Sequence, residues 1–216
     1  MNKFKRLAAI PFTYQLRDHG CDTREDNAKI TRVTKDGRFE YNGGIWPVTH
    51  LKIWEQPTAR KPRYADRALR SAVNAINGDT FTFEITKNPP TNSYGIKLYY
   101  THSPDRRALG WAKFPPLPIY TTTPGAPPPE DPPVAKWTHM WINTAHFRNS
   151  FLDFWREVVL HEVFVHEIGH CLGLGHQTKE MAKMMPIERT FKKRILCGDD
   201  WCEYDSEAIK RRGHGV

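Results

Sequence analysis

The sequence predicts an α+β protein: a mixed, twisted sheet with its helices on one side. Three observations carry this. Short alternating runs and helical periodicities follow one another as strand, helix, four strands, helix, helix. No internal repeat breaks that order. Nine of the 17 prolines crowd between Pro115 and Pro133, where proline leaves little room for helix or inner strand and marks a surface excursion, read as an extended spacer.

Each element has its own signal. Residues 1–45 are polar and charged, and read as an N-terminal extension. Lys29 to Thr34 and Phe39 to Tyr41 alternate around Asp36-Gly37, which predicts a β-hairpin there. Residues 46–216 form the main domain. Val48 to Trp54 reads as its first strand, with Val48, His50, Lys52 and Trp54 on one face and Thr49, Leu51 and Ile53 on the other. Pro62 opens a helix in which Ala65, Ala68, Leu69, Ala72, Val73 and Ile76 share a face, and Gly78 follows its end. Strands are expected over Thr80–Thr86, Tyr94–Tyr100, 108–114 and Trp137–Asn143. Ser150 and Asp153 resemble a capping box before a helix running from Phe151 to about Leu172. Asp205 to Gly213 reads as a short last helix, acidic at its start and basic at its end.

Composition narrows the class. The 216 residues hold 32 Lys plus Arg and 24 Asp plus Glu, a formal charge of +8. A hydrophobic share of 39% is too high for a disordered chain, and a mean hydropathy of −0.65 without a long apolar run excludes a membrane span. No membrane partner is expected. The apolar start of the chain is interrupted by Pro11, which makes it shorter than the h-region of a recognisable signal peptide. Four cysteines do not define a compartment. Cys197 and Cys202 are close enough to bridge, although spacing alone does not establish a bond.

The chemistry concentrates in Val165-His-Glu-Ile-Gly-His-Cys-Leu-Gly-Leu-Gly-His176. His166 and His170, four apart, project from one helical face and reach one zinc ion at about 2.0–2.1 Å. Glu167 stands beside them as a carboxylate able to take a proton from a zinc-bound water. Gly173 permits a positive φ, so the chain turns sharply and returns His176 as third ligand. Three protein ligands leave one position open, the catalytic pattern. His161-Glu162 is a decoy, because Val165 stands where its second histidine belongs. Cys171 should point away from the metal as a small buried residue.

This extended motif resembles that of the metzincin metallopeptidases. Ala182-Lys-Met-Met-Pro186 resembles their methionine turn, with Met184 as an apolar floor beneath the zinc, at a distance from His176 similar to the matrixin branch. Ile45-Trp-Pro, Tyr94-Gly-Ile-Lys-Leu, Leu109-Gly-Trp-Ala and Met140-Trp-Ile-Asn fall in matrixin order. The resemblance implies a zincin-like (metzincin) fold, with a sheet of about five strands, three helices and a cleft over the zinc helix. It also implies a zinc-dependent endopeptidase with one catalytic Zn2+, in which Glu167 assists attack of the zinc-bound water on a protein or peptide substrate. Substrate would pair along an antiparallel edge strand near Gly110, Trp111 and Ala112, with Pro186 in the loop that shapes the S1′ pocket.

The chain departs from the branch in places. Gln177 follows the third histidine where serine is usual, and Pro186 stands where some metzincins carry an oxyanion-supporting tyrosine. The proline-rich stretch holds only Glu130 and Asp131 as acidic residues where matrixins keep structural ligands. No matrixin-like second zinc is expected, and calcium lacks its usual ligands. Cys171, Cys197 and Cys202 do not match the extra cysteines of archaemetzincins. Cys21, or an aspartate beside it, is a candidate latency ligand, although its flanks do not match the matrixin switch. The alternative function is a basic zinc-binding protein, or a protease recruited to nucleic acid or acidic proteins. Its basic residues are spread along the chain, densest at Lys192–Arg194 and Lys210–Arg212, so nucleic acid is not favoured as main partner. A monomer is expected, and family resemblance points to extracellular action.

Overall fold

The computed structural model describes residues 41, 43–78, 80–89, 92–104, 108–116, 136–147, 153–176 and 203–213. Within them the chain forms β1 (His50–Glu55), α1 (Ala65–Ile76), β2 (Thr82–Thr86), β3 (Gly95–Thr101), β4 (Gly110–Ala112) and β5 (Trp137–Asn143). A 3-10 turn (Thr144–Phe147), α2 (Asp153–Cys171) and α3 (Glu203–Gly213) complete it. Residues 29–40 of the predicted hairpin, Ser150 of the capping box and most of the proline-rich stretch lie outside the described residues.

The strands form one mixed sheet in the order β2-β1-β3-β5-β4. All neighbours are parallel except β4, which runs antiparallel to β5 at the edge of the described sheet. Alternation sorts the side chains as expected. Leu51, Ile53, Ile96, Leu98, Met140 and Ile142 are fully buried on one face, in a single core with α1 and α2. The helices pack together, α1 against β2 and α2 against β4 and β5. The opposite face carries Trp54, Tyr99, Trp111, Trp137, His139 and Trp141, all half-buried. Their rings run across the strands, with Trp111 and Tyr99 each stacked on Trp141.

The six predicted residues of α1 are its six buried ones. Its start differs from expectation. Pro62 does not occupy the first turn: its carbonyl accepts the Ala65 N–H at 3.0 Å, and the helix starts after Tyr64. Gly78 does not supply a left-handed cap either. Asn77 leaves the helix extended, and its side chain holds the Phe83 backbone (Phe83 N–H to Oδ1, 2.7 Å). Gly78 follows the helix end as expected, and a side-chain amide sets the turn.

β4 has three residues, not the seven expected of 108–114. Its entry is fixed by the buried Asn143 at the end of β5. The Asn143 amide donates to the Ser103 and Ala108 carbonyls at 2.9 and 3.0 Å, and accepts from the Ser103 N–H at 3.0 Å. These bonds close the loop before β4 against β5, and satisfy backbone groups that burial would otherwise strand.

The N-terminal approach ties three regions. The Trp46 indole N–H donates to the Cys171 carbonyl at 2.9 Å, at the last turn of α2. Gly44 N–H donates to the Pro115 carbonyl at 2.9 Å, just beyond β4. On α3, which begins two residues earlier than predicted, Arg212 turns inward. It donates to the Gly43 and Gly44 carbonyls and lies over the Tyr41 ring. Burial pushes its pKa down to about 10. Arg212 is at the basic helix end, as the sequence suggested, but it is buried there.

Candidate metal centre

α2 is the scaffold of the site. From His161 to Cys171 every residue is buried, because one side meets α1 and another meets β4 and β5. Such a helix is recognised by the absence of a polar face rather than by amphipathic periodicity. Its end is a full Schellman turn. Leu174 N–H donates to the Gly169 carbonyl at 3.0 Å and Gly173 N–H to the His170 carbonyl at 2.8 Å. Gly173 has φ 95°, a conformation that costs a residue with a side chain. With Gly43 it is one of two described glycines at positive φ.

That turn brings the third histidine back. His166, His170 and His176 place one ligand nitrogen each within 4.8 Å of one another. His166 Nε2 and His170 Nε2 converge to 3.1 Å. Zinc held tetrahedrally at about 2.0–2.1 Å from nitrogen separates its ligands by roughly 3.3 Å, so the pair fits that ion. The tautomer fits as well. His170 Nδ1 lies 2.8 Å from the Leu174 carbonyl, which can only accept, so Nδ1 carries the proton and Nε2 keeps its lone pair for the metal. Burial, then the neighbouring His176, push the His170 pKa down to about 3, with the Leu174 bond opposing them. The imidazole is thus neutral at physiological pH, as a ligand must be.

Glu167 is buried, and its Cγ and Oε1 lie against the backbone of Gly110. The carboxylate therefore stands between the zinc helix and the edge strand. On β4, Gly110 and Ala112 face α2, while Trp111 points to the aromatic face. Asn143 N–H donates to the Leu109 carbonyl and Lys113 N–H to the His139 carbonyl, both at 2.9 Å. Antiparallel alternation then turns the N–H and C=O groups of Gly110 and Ala112 away from β5, toward the edge that no described strand covers. Cys171 is a free, buried thiol, and burial, followed by the charge of Glu167, raises its pKa well above the usual thiol value.

A matrixin family profile matches residues 135–206. Over that third of its length the chain is matrixin-like. The match runs from β5 through all three histidines and the methionine-turn segment. Metalloendoproteinase 2-MMP of Arabidopsis thaliana is 47% identical over 53 residues, which are 24% of this chain and 14% of that protein. The matched segment is thus about a seventh of that relative's length. A solved archaemetzincin from Methanopyrus kandleri aligns with 78% of this chain and 98% of its own, at 13% identity and a TM-score of 0.45.

The structure of this matrixin-like chain brings together His166, Glu167, His170, Gly173 and His176, and sets Gly110–Ala112 at the sheet edge. Met184, Pro186, Gln177, Cys197, Cys202 and Cys21 lie outside the described residues. Three contributors were not read from the sequence. The Leu174 carbonyl orients His170, and Gly173 could have signalled it, since a Schellman turn fixes the backbone of the residue after its glycine. Phe114 packs edge-on against the His170 ring, with centroids 5.8 Å apart. The Trp46 indole holds the end of α2. Both of these are tertiary contacts without local signal.

Proposed function

We propose that the chain is a zinc-dependent endopeptidase in which His166, His170 and His176 hold the ion and Glu167 moves the proton. The observation that carries this is the convergence of three imidazoles, two of them buried and one with its tautomer fixed, beside a buried carboxylate that abuts the edge strand of the described sheet. Zinc, when bound, supplies a Lewis acid that polarises the scissile carbonyl and makes water more acidic.

The protein's own residues do the rest. An extended peptide pairs with the N–H and C=O groups of Gly110 and Ala112 as an added strand. That pairing aligns its backbone over the zinc helix. Glu167 takes a proton from the attacking water and passes it to the leaving amine, work that typically contributes a factor of 10²–10⁴. Burial of Glu167 keeps bulk water from competing for that proton. The match to a metalloendoproteinase segment supports peptide as substrate. Extracellular action and a monomeric state belong to the same proposal.

The test is hydrolysis of a peptide library by the full chain, with cleavage sites mapped, before and after removal of metal by a chelator. Internal cleavage that disappears with the metal and returns with added zinc supports the proposal. Cleavage that survives chelation contradicts it.

A further inference from the structure

Gly110 is a glycine without a conformational reason to be one. Its φ is not positive, and it pairs with Ile142 as an ordinary strand residue. Any side chain would suit its backbone, so the constraint is space. A Cβ built at position 110 would lie 2.9 Å from Val163 Cγ1 and 3.1 Å from both Cγ and Oε1 of Glu167. The next residue on that face, Ala112, is small and buried too, whereas the outward residue between them is Trp111. β4 is thus stripped of bulk only where it meets the zinc helix.

We propose that the missing side chain of Gly110 positions Glu167: the bare strand backbone is one wall of the carboxylate's slot, and Gly110 is a positioning residue for proton transfer. The idea rests on Glu167 being the proton carrier. A carboxylate oxygen alone could swing clear of a new methyl group by turning about its last bond. Cγ cannot, because moving it rotates the whole side chain. A methyl group at 110 therefore displaces Glu167 Cγ by a few tenths of an ångström, and the carboxylate with it, or eases β4 from α2 by as much. Val163 is the rival explanation, since the same methyl group would also press on it.

The experiment uses the full chain as wild type, Gly110→Ala, Val163→Ala, the double variant and Glu167→Gln. Bound zinc, melting temperature, kcat and KM on one fluorogenic peptide are measured, and the zinc-loaded Gly110→Ala variant is crystallised. The expected result is full zinc occupancy and little change in KM, with kcat roughly ten- to hundred-fold lower, the scale of a small misplacement of a reacting group. The crystal structure then shows the Glu167 side chain displaced from its wild-type position. The double variant regains melting temperature relative to Gly110→Ala but not kcat. A crystal structure in which Glu167 keeps its place, or a kcat restored by Val163→Ala, assigns the glycine to packing and overturns the proposal. An inactive Glu167→Gln with wild-type kcat in Gly110→Ala overturns it alone. Full activity in Glu167→Gln overturns the reading of Glu167 and this proposal together.

Discussion

α2 carries the dipeptide His-Glu twice. His161-Glu162 and His166-Glu167 sit five residues apart on one helix, and all four side chains are buried. Only the second pair enters the candidate metal centre. Five residues turn the helix by about 140°, so the two histidines point in different directions. The residue four after His161 is Val165, a core residue; the residue four after His166 is His170. Only the second pair precedes a glycine turn that returns another histidine. Residue type and burial do not make the site. Angular position and the exit of the chain do.

The largest effect should come from breaking the set of imidazoles. His170→Ala removes the nitrogen whose tautomer Leu174 fixes, and zinc content measured by metal analysis should fall with loss of detectable hydrolysis. Glu167→Gln keeps the shape and removes the base. Turnover should drop by about 10²–10⁴ with zinc retained. Gly173→Ala tests the exit of the chain. A side chain at φ 95° costs roughly 1–3 kcal/mol, read as a lower melting temperature and weaker zinc binding, because His176 is displaced. His161→Gln is the control on the other pair. It should cost about 1–3 kcal/mol of stability through an imperfectly satisfied buried group, with kcat/KM unchanged.

Acid sharpens the same contrast. The folded pKa of His170 is about 3, below its usual 6.5. The unfolded chain therefore binds more protons between those values, and stability falls as pH drops through that window. Metal-free protein should melt at progressively lower temperature from pH 6.5 downward. Replacing His170 by glutamine should flatten that decline, as followed by thermal melts across the range.

Much of this was legible in advance, for physical reasons. Periodicity gave α1 its six buried residues and β5 its limits, because both elements alternate between core and solvent. The site was legible because zinc geometry constrains spacing along the chain: four residues between helical ligands, then a glycine. What failed was local punctuation. Pro62 is expected at the first turn, but the helix starts after Tyr64; Gly78 does follow its end, while the Asn77 side chain shapes the exit. Arg212 is at the basic helix end as expected, but Tyr41 and Gly43, far away in sequence, bury it. Contacts between distant segments leave no periodic trace.

If the second His-Glu pair, and not the first, supplies both metal ligand and base, zinc stoichiometry and peptide hydrolysis measured together in the full chain will separate Glu167→Gln from Glu162→Gln. Both variants should bind zinc, with hydrolysis abolished in Glu167→Gln and kept in Glu162→Gln. Hydrolysis kept in Glu167→Gln, or lost only in Glu162→Gln, would contradict that assignment.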